Sequence, residues 1–226
     1  MLENLKQRVY EQNIALVEHG LVVLTWGNVS ARDKETGLVV IKPSGVPYST
    51  MTPDDMVIVD MDGNTVEGKY RPSSDLPTHL YLYKAYPEVN GVVHTHSTYA
   101  TAFAQSGREI TAYGTTHADA FYGNVPCSRD LTDFEIKNEY ELNTGKVIRE
   151  TVQDPEAMPA ALVKRHGVFT FAKSPEKAVE VAVTLEEVAK MAHLTEALGM
   201  TERIDQNLLD KHYFRKHGKN AYYGQK

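Results

Sequence analysis

The apolar runs of this chain are short, and most are closed by turn residues rather than continued as long segments. GLVVIKPSG (37–45) reads as a strand running into a Pro-Ser-Gly turn, and MVIVDMDGNTVEG (56–68) as a hairpin turned at Asp62-Gly63. NGVVHTHS (90–97) reads as a short buried strand, and ALVKRHGVFTFAKS (161–174) as a second hairpin. Leu21–Leu24 reads as a further short strand, followed by TWGNVSAR (25–32) as a polar loop. Short strands joined by hairpins are not a series of regular βαβ units, which argues against a doubly wound parallel sheet. One α/β domain over residues 1–226 is the simplest account.

Helical spacing covers residues 3–19, with Gly20 as a stop, and a helix follows the loop RPSSDLPTH (71–79). Residues 98–106 and 132–148 also read as helical, the latter with a break around Gly145. Ser174-Pro175-Glu176 is a helix opening, serine as cap and proline in the first turn, and that helix is expected to run to about Leu198. LLDKHYFRKHG (208–218) is a short amphipathic helix near the end, and NAYYGQK a tail. GTTHADAFYGNVPC (114–127) is rich in turn formers.

Composition narrows the class. With 42% hydrophobic and 24% charged residues in 226, the chain can bury one sizeable core. No apolar run approaches the roughly 18–20 residues that span a bilayer, and the polar N-terminus MLENLKQRVYEQN carries no apolar signal region, so a cytoplasmic protein without a membrane partner is expected. The single cysteine, Cys127, has no internal disulfide partner and reads as structural. A net charge of −6 argues against nucleic acid as a partner.

The chemistry concentrates on histidine. His94 and His96 end an apolar strand, and side chains at i and i+2 of a strand share one face, where two imidazoles can chelate one metal ion. His166, which precedes a glycine and another apolar strand, offers a third ligand, and Asp75 can add an oxygen ligand. Three histidines with one carboxylate or exchangeable position suit a catalytic zinc site, and such a metal polarises carbonyl and hydroxyl oxygens. Zinc is the first choice for this ligand set, with manganese or cobalt as alternatives. His19, His79, His193 and His217 read as surface or packing residues, His117 as loop scaffolding and Trp26 as packing.

The motifs TWGNVSAR (25–32), IKPSGVPY (41–48), RPSSDLPTH, VVHTHS (92–97), GTTHADAFYG (114–123), RHGVF (165–169) and LLDKHYFRKHGKNAYYGQ (208–225) follow one another in an order that resembles the class II aldolase/adducin-head family over nearly the whole chain. The HADAFYG loop and the tail resemble its epimerase branch. The resemblance implies a three-layer α/β/α fold around a mixed, largely antiparallel sheet, and a homotetramer with active sites at subunit interfaces. It implies His94, His96 and His166 as metal ligands with Asp75 as the fourth. The related fuculose-phosphate aldolases carry a glutamate acting as base where this chain has Asp75. It further implies a phosphate cradle from Gly27, Asn28, Ser44, Gly45, Ser73 and Ser74, with Lys42 adding charge. Small residues let backbone N–H groups approach an anion and serine hydroxyls donate to it, so the residue types are consistent with that role.

The activity implied is interconversion of L-ribulose 5-phosphate and D-xylulose 5-phosphate by retro-aldol cleavage and re-addition at C3–C4. Such a reaction needs two proton donor/acceptors, one on each face. By resemblance these are Asp119 and Tyr223, reaching the metal site from a neighbouring subunit, with His212 beside Asp119. Two other readings compete: a fuculose- or rhamnulose-phosphate aldolase of the same family, and a non-catalytic adducin-like module, which would not need the full metal set.

Overall fold

The computed structural model describes residues 2–199 and 201–224; Gln225, the last residue of the tail motif, lies outside them. Seven strands form one sheet: β1 (Asn28–Arg32), β2 (Val39–Ile41), β3 (Val57–Val59), β4 (Thr65–Glu67), β5 (Gly91–Thr95), β6 (Ala160–Val163) and β7 (Gly167–Ala172). Their order is β4-β3-β2-β1-β5-β7-β6, and all six pairings between strands are antiparallel. The one parallel pairing among the described residues is an isolated bridge, Cys127 to Leu162.

Period-two alternation sorts the strand residues onto two faces. Val39, Ile41, Val57, Val59, Val92, Phe169 and Phe171 pack with Leu76, Leu80, Leu82 and Tyr83 of α2 (Leu76–Ala85) and Ile148 of α6 (Tyr140–Thr151). Residues of the opposite parity face the other helices. Ala31, Val40 and Ile58 pack with Val9 of α1 (Glu3–Glu18), Val29 and Val93 with Ala178 of α7 (Pro175–Ala197), and Leu162 and Val168 with α7 and α3 (Thr98–Ser106). The result is helix, sheet, helix in three layers. Short helices α4 (Thr115–Ala118) and α5 (Asp133–Lys137) and the last helix, α8 (Gln206–Lys216), lie outside this frame. Ala112, Ala118, Ile204 and Leu209 form a small cluster that seats α8 on the α4 loop. No helix among the described residues is long and apolar enough to cross a membrane.

Three local expectations are corrected. TWGNVSAR contains a strand, β1, rather than being a loop. Its polar residues are those on the α2 side, where they are bonded: buried Ser30 Oγ lies 2.7 Å from both His79 Nδ1 and Tyr83 Oη, while the guanidinium of half-buried Arg32 donates to the carbonyls of Tyr83, Pro87 and Val89. Leu21–Leu24 forms no strand; Leu21 alone is buried, Leu24 takes a left-handed conformation (φ 55°), and the loop leaves Trp26 54% exposed rather than packed. The break in the 132–148 helix falls at residues 138–139, between α5 and α6. Gly145 is instead a helix-interior residue against α2, where an added Cβ would meet Tyr81 Cβ at 2.9 Å.

Candidate metal centre and proton-transfer cluster

Val92 and His94 share the β5 face that looks toward α2, and His96 follows just past the strand end. His94 stacks on Phe169 of the neighbouring strand β7, with ring centroids 4.3 Å apart. His166 sits in the β6–β7 hairpin turn, which brings it to the same end of the sheet. Ligand atoms of His94, His96 and His166 all lie within 4.8 Å of one another, and the Nε2 atoms of His94 and His96 are 3.0 Å apart. Gly167 makes this approach possible, since a Cβ there would stand 2.8 Å from Thr95 O and 3.1 Å from His94 Cε1.

The donor chemistry fits a divalent metal. His94 Nδ1 is 3.0 Å from Val168 O. A carbonyl only accepts, so Nδ1 carries the proton and Nε2 keeps its lone pair toward the other rings. Burial, and then the neighbouring His94 and His96, hold His166 down to about 3. His96 is lowered by the same causes, burial first and then His94. Both are therefore neutral imidazoles near pH 7, the form that ligates. Three nitrogen donors with an oxygen donor nearby suit zinc, manganese or cobalt.

Asp75 lies outside the three-histidine group, at the entry to α2. Its Oδ2 accepts from Asn28 Nδ2 at 2.6 Å. Burial pushes its pKa up, but the charges of His94 and His79, the Asn28 bond and His166 outweigh it, leaving the carboxyl below its ordinary value.

Of the residues expected to form a phosphate cradle, Gly27, Asn28, Ser73 and Lys42 lie together beside this centre. Asn28 Nδ2 also donates to Ser73 Oγ (3.1 Å), and Asn28 pairs with His94 in the β1–β5 register. Ser73 N donates to Lys42 O, Ser44 N to Arg71 O, and Pro43 bridges Pro72, clasping the two loops together. Tyr48 Oη donates to Gly27 O at 2.8 Å. Gly27 has a structural reason to be glycine: its φ is 103°, and a Cβ would meet His94 O at 2.8 Å. Ser44, Gly45 and Ser74 are exposed on the loops. Lys42 is only 2% exposed and pairs with no carboxylate among the described residues; its ammonium donates to the carbonyls of Pro43 and Val46. Burial pulls it down to about 8.

Asp119, His212 and Tyr223 form a second cluster. His212, Arg215 and Lys216 lie three and four residues apart on one face of α8, and all reach Asp119. His212 Nδ1 is 3.0 Å from Asp119 Oδ1; Arg215 bonds both carboxylate oxygens, at 3.1 and 2.7 Å; Lys216 stands at 3.2 Å. Burial alone would raise Asp119, but the bonds from Arg215, His212 and Lys216 outweigh it and hold the carboxyl low. Arg215 and Lys216 also lie over the Tyr223 ring, at 5.0 and 4.4 Å from its centroid. Tyr223 is 62% exposed in the single chain. Asp119 and Tyr223 line one cavity of about 820 Å³ that none of the three histidines lines.

Arg215, Lys216 and His217 are not singled out as site residues in the sequence, although the spacing of Arg215 and Lys216 from His212 is a usable signal. His217 Nε2 bonds Asp119 O at 2.9 Å. Tyr140, whose hydroxyl lies 3.3 Å from His166 Nδ1, carries no local signal that could have found it. His117 is the scaffold expected: its Nε2 bonds Gly123 O at 2.8 Å.

Comparison with known proteins bears on this arrangement. The family described as "Class II Aldolase and Adducin N-terminal domain" matches residues 7–193. A solved L-fuculose 1-phosphate aldolase is 27% identical, covers 92% of this chain and 94% of its own, and superposes with a TM-score of 0.80. The fold is shared with an L-fuculose 1-phosphate aldolase from Glaciozyma antarctica, 24% identical over 97% of this chain and 84% of that one at a TM-score of 0.81. It is also shared with one from Thermus thermophilus, 23% identical over 88% and 98% at 0.69. With its antiparallel sheet between helix layers and a histidine triad suited to the divalent metal of such enzymes, the chain belongs to the class II aldolase and adducin N-terminal domain family.

Proposed function

We propose that the chain is a metal-dependent epimerase interconverting L-ribulose 5-phosphate and D-xylulose 5-phosphate, acting by retro-aldol cleavage of C3–C4. The observation that carries this reading is the second cluster: an ionised carboxylate, Asp119, and a phenol, Tyr223, facing one cleft away from the histidines. Epimerisation at C4 needs two such groups, one for each face of the aldehyde. C4 carries no acidic hydrogen, so inversion proceeds by breaking a carbon–carbon bond instead. One group takes the proton of the 4-hydroxyl as the bond breaks, giving a dihydroxyacetone enediolate and glycolaldehyde phosphate. The aldehyde turns over, the bond reforms, and the other group protonates the new alkoxide.

A divalent metal at His94, His96 and His166, with Asp75 beside them, supplies Lewis acidity toward the carbonyl and hydroxyl oxygens when bound. The chain's own residues do the rest. Lys42, buried without a carboxylate partner, and the loops of Gly27-Asn28, Ser44-Gly45 and Ser73-Ser74 hold the phosphate. His212 and Arg215 orient Asp119 and keep it ionised. Since none of the three histidines lines the cavity that Asp119 and Tyr223 share, we take Asp119 and Tyr223 to serve the metal centre of a neighbouring copy in a homo-oligomer, a tetramer by family resemblance.

The second reading, a fuculose-type aldolase, is favoured by the 27% identical relative. Asp75 weighs against it. Tied to Asn28 beside the metal centre, this short carboxylate is poorly placed as a mobile base, where the aldolases resembled use a glutamate. The test is zinc content and turnover of three variants. His96→Asn should lose zinc and activity together. Asp119→Asn and Tyr223→Phe should keep zinc and lose roughly 10²-fold or more in kcat. Full activity in Tyr223→Phe would remove the tail from the mechanism.

A further inference from the structure

We propose that Tyr140 is a positioning residue of the metal centre: its phenolic oxygen accepts the Nδ1 proton of His166 and so fixes the ring tautomer that leaves Nε2 free to ligate. The inference rests on reading the three histidines as a metal site. The hydroxyl lies 3.3 Å from His166 Nδ1, with the two rings 5.9 Å apart and tilted by 38°. A neutral imidazole carries one N–H and one lone pair, and each ring of a three-histidine site must spend its N–H away from the metal. His94 spends its own on Val168 O. His166 has the Tyr140 oxygen in the corresponding place. If Tyr140 instead donated to Nδ1, Nε2 would carry the proton and could not bind metal.

The chain holds Tyr140 there at a conformational cost. It opens α6 directly after Glu139, a non-glycine residue in the left-handed region at φ 53° and ψ 48°. Conformations of this kind persist where the surroundings over-determine them, and three contacts do so here. Buried Asn143 donates to Asn138 O (2.6 Å) and Glu135 O (3.2 Å), closing the α5–α6 corner. Thr78 of α2 donates to Glu141 O at 2.6 Å. Gly145 lets α6 lie against Tyr81 of the same helix. The helix that begins beside Asp75 is thereby tied to the residue that orients His166, so both sides of the site share one support.

The test uses the full chain. Zinc affinity is measured by competition with a chromophoric chelator for the wild type, Tyr140→Phe and His96→Asn, alongside melting of the metal-free forms. Tyr140→Phe is expected to bind zinc about 10-fold or more weakly, while its metal-free form melts with the wild type. Equal affinity in wild type and Tyr140→Phe would overturn the proposal. Nitrogen-15 histidine NMR of the metal-free wild type decides the point without any variant. Protonation of His166 at Nδ1 is expected, and protonation at Nε2 would overturn it. A wild type that binds no zinc would sink the metal reading itself, and the NMR result would still decide the hydrogen bond.

Discussion

Replacing Gly145 by alanine sets two effects of opposite sign against each other. Gly145 lies in the interior of α6, where alanine is favoured over glycine by about 1 kcal/mol. The structure opposes that gain. The new Cβ would sit 2.9 Å from Tyr81 Cβ and 3.1 Å from both Cδ1 and Cγ. Tyr81 Cβ is fixed to the backbone of α2 and cannot swing aside, so the helices must separate. Overpacking of this kind costs about 1–3 kcal/mol, which outweighs the propensity gain and leaves a net loss of about 1 kcal/mol. For a chain of this length that lowers Tm by about 2–4 °C. Because α2 begins just after Asp75 and α6 at Tyr140, the same displacement should weaken zinc binding. Thermal melts of the metal-free protein and chelator competition read the two effects. A Gly145→Ala variant that melts above the wild type would refute the close α2–α6 contact and restore propensity as the deciding factor.

Gly167→Ala should damage the metal centre directly, since its Cβ would press on Thr95 O, His94 Cε1 and His96 Cδ2; zinc affinity should fall about 10-fold or more, and wild-type affinity would show that the rings are not so confined. Stability should also depend on pH through His117, which burial pulls from 6.5 down to about 4. The unfolded chain takes up that proton near 6.5 and the folded chain only near 4, so stability is highest above 6.5 and falls by up to about 3 kcal/mol as pH drops toward 4. Denaturant melts of metal-free His117→Gln should show a flatter acid limb, and an unchanged slope would assign the effect elsewhere. Finally, mixing inactive His96→Asn and Tyr223→Phe subunits should restore roughly a quarter of the sites if copies mix at random and each site combines two chains. Mixed oligomers that stay inactive would place both clusters' work within one chain.

Most of the fold is legible because its strands are short apolar runs bounded by turn residues; nearly every strand residue is buried, since helices cover both faces of the sheet. The two hairpins, the helix opened by Ser174-Pro175 and the buried strand before His94 all follow from pattern. The strand β1 does not, because Asn28 and Ser30 look like loop residues in sequence. They are polar because their face of this central strand meets polar groups, Ser73, Asp75 and, from α2, His79 and Tyr83. Gly145 misleads for a related reason: it reads as a local break, whereas its small size serves packing against a helix much earlier in the chain. The histidine cluster can be anticipated from i, i+2 spacing on a strand. Tyr140 cannot, since its contact with His166 depends on the corner between α5 and α6. Arg215 and Lys216 are readable in principle from helical spacing relative to His212, but nothing in the sequence says that this face of α8 meets Asp119.

Metal-dependent epimerisation is measured most directly by a coupled assay for D-xylulose 5-phosphate formed from L-ribulose 5-phosphate, with L-fuculose 1-phosphate tested in parallel, on zinc-loaded and chelator-treated protein. Turnover of L-ribulose 5-phosphate is expected, lost with the metal and regained on its return. Zinc-dependent release of dihydroxyacetone phosphate from L-fuculose 1-phosphate, with L-ribulose 5-phosphate untouched, would contradict it and make the chain an aldolase.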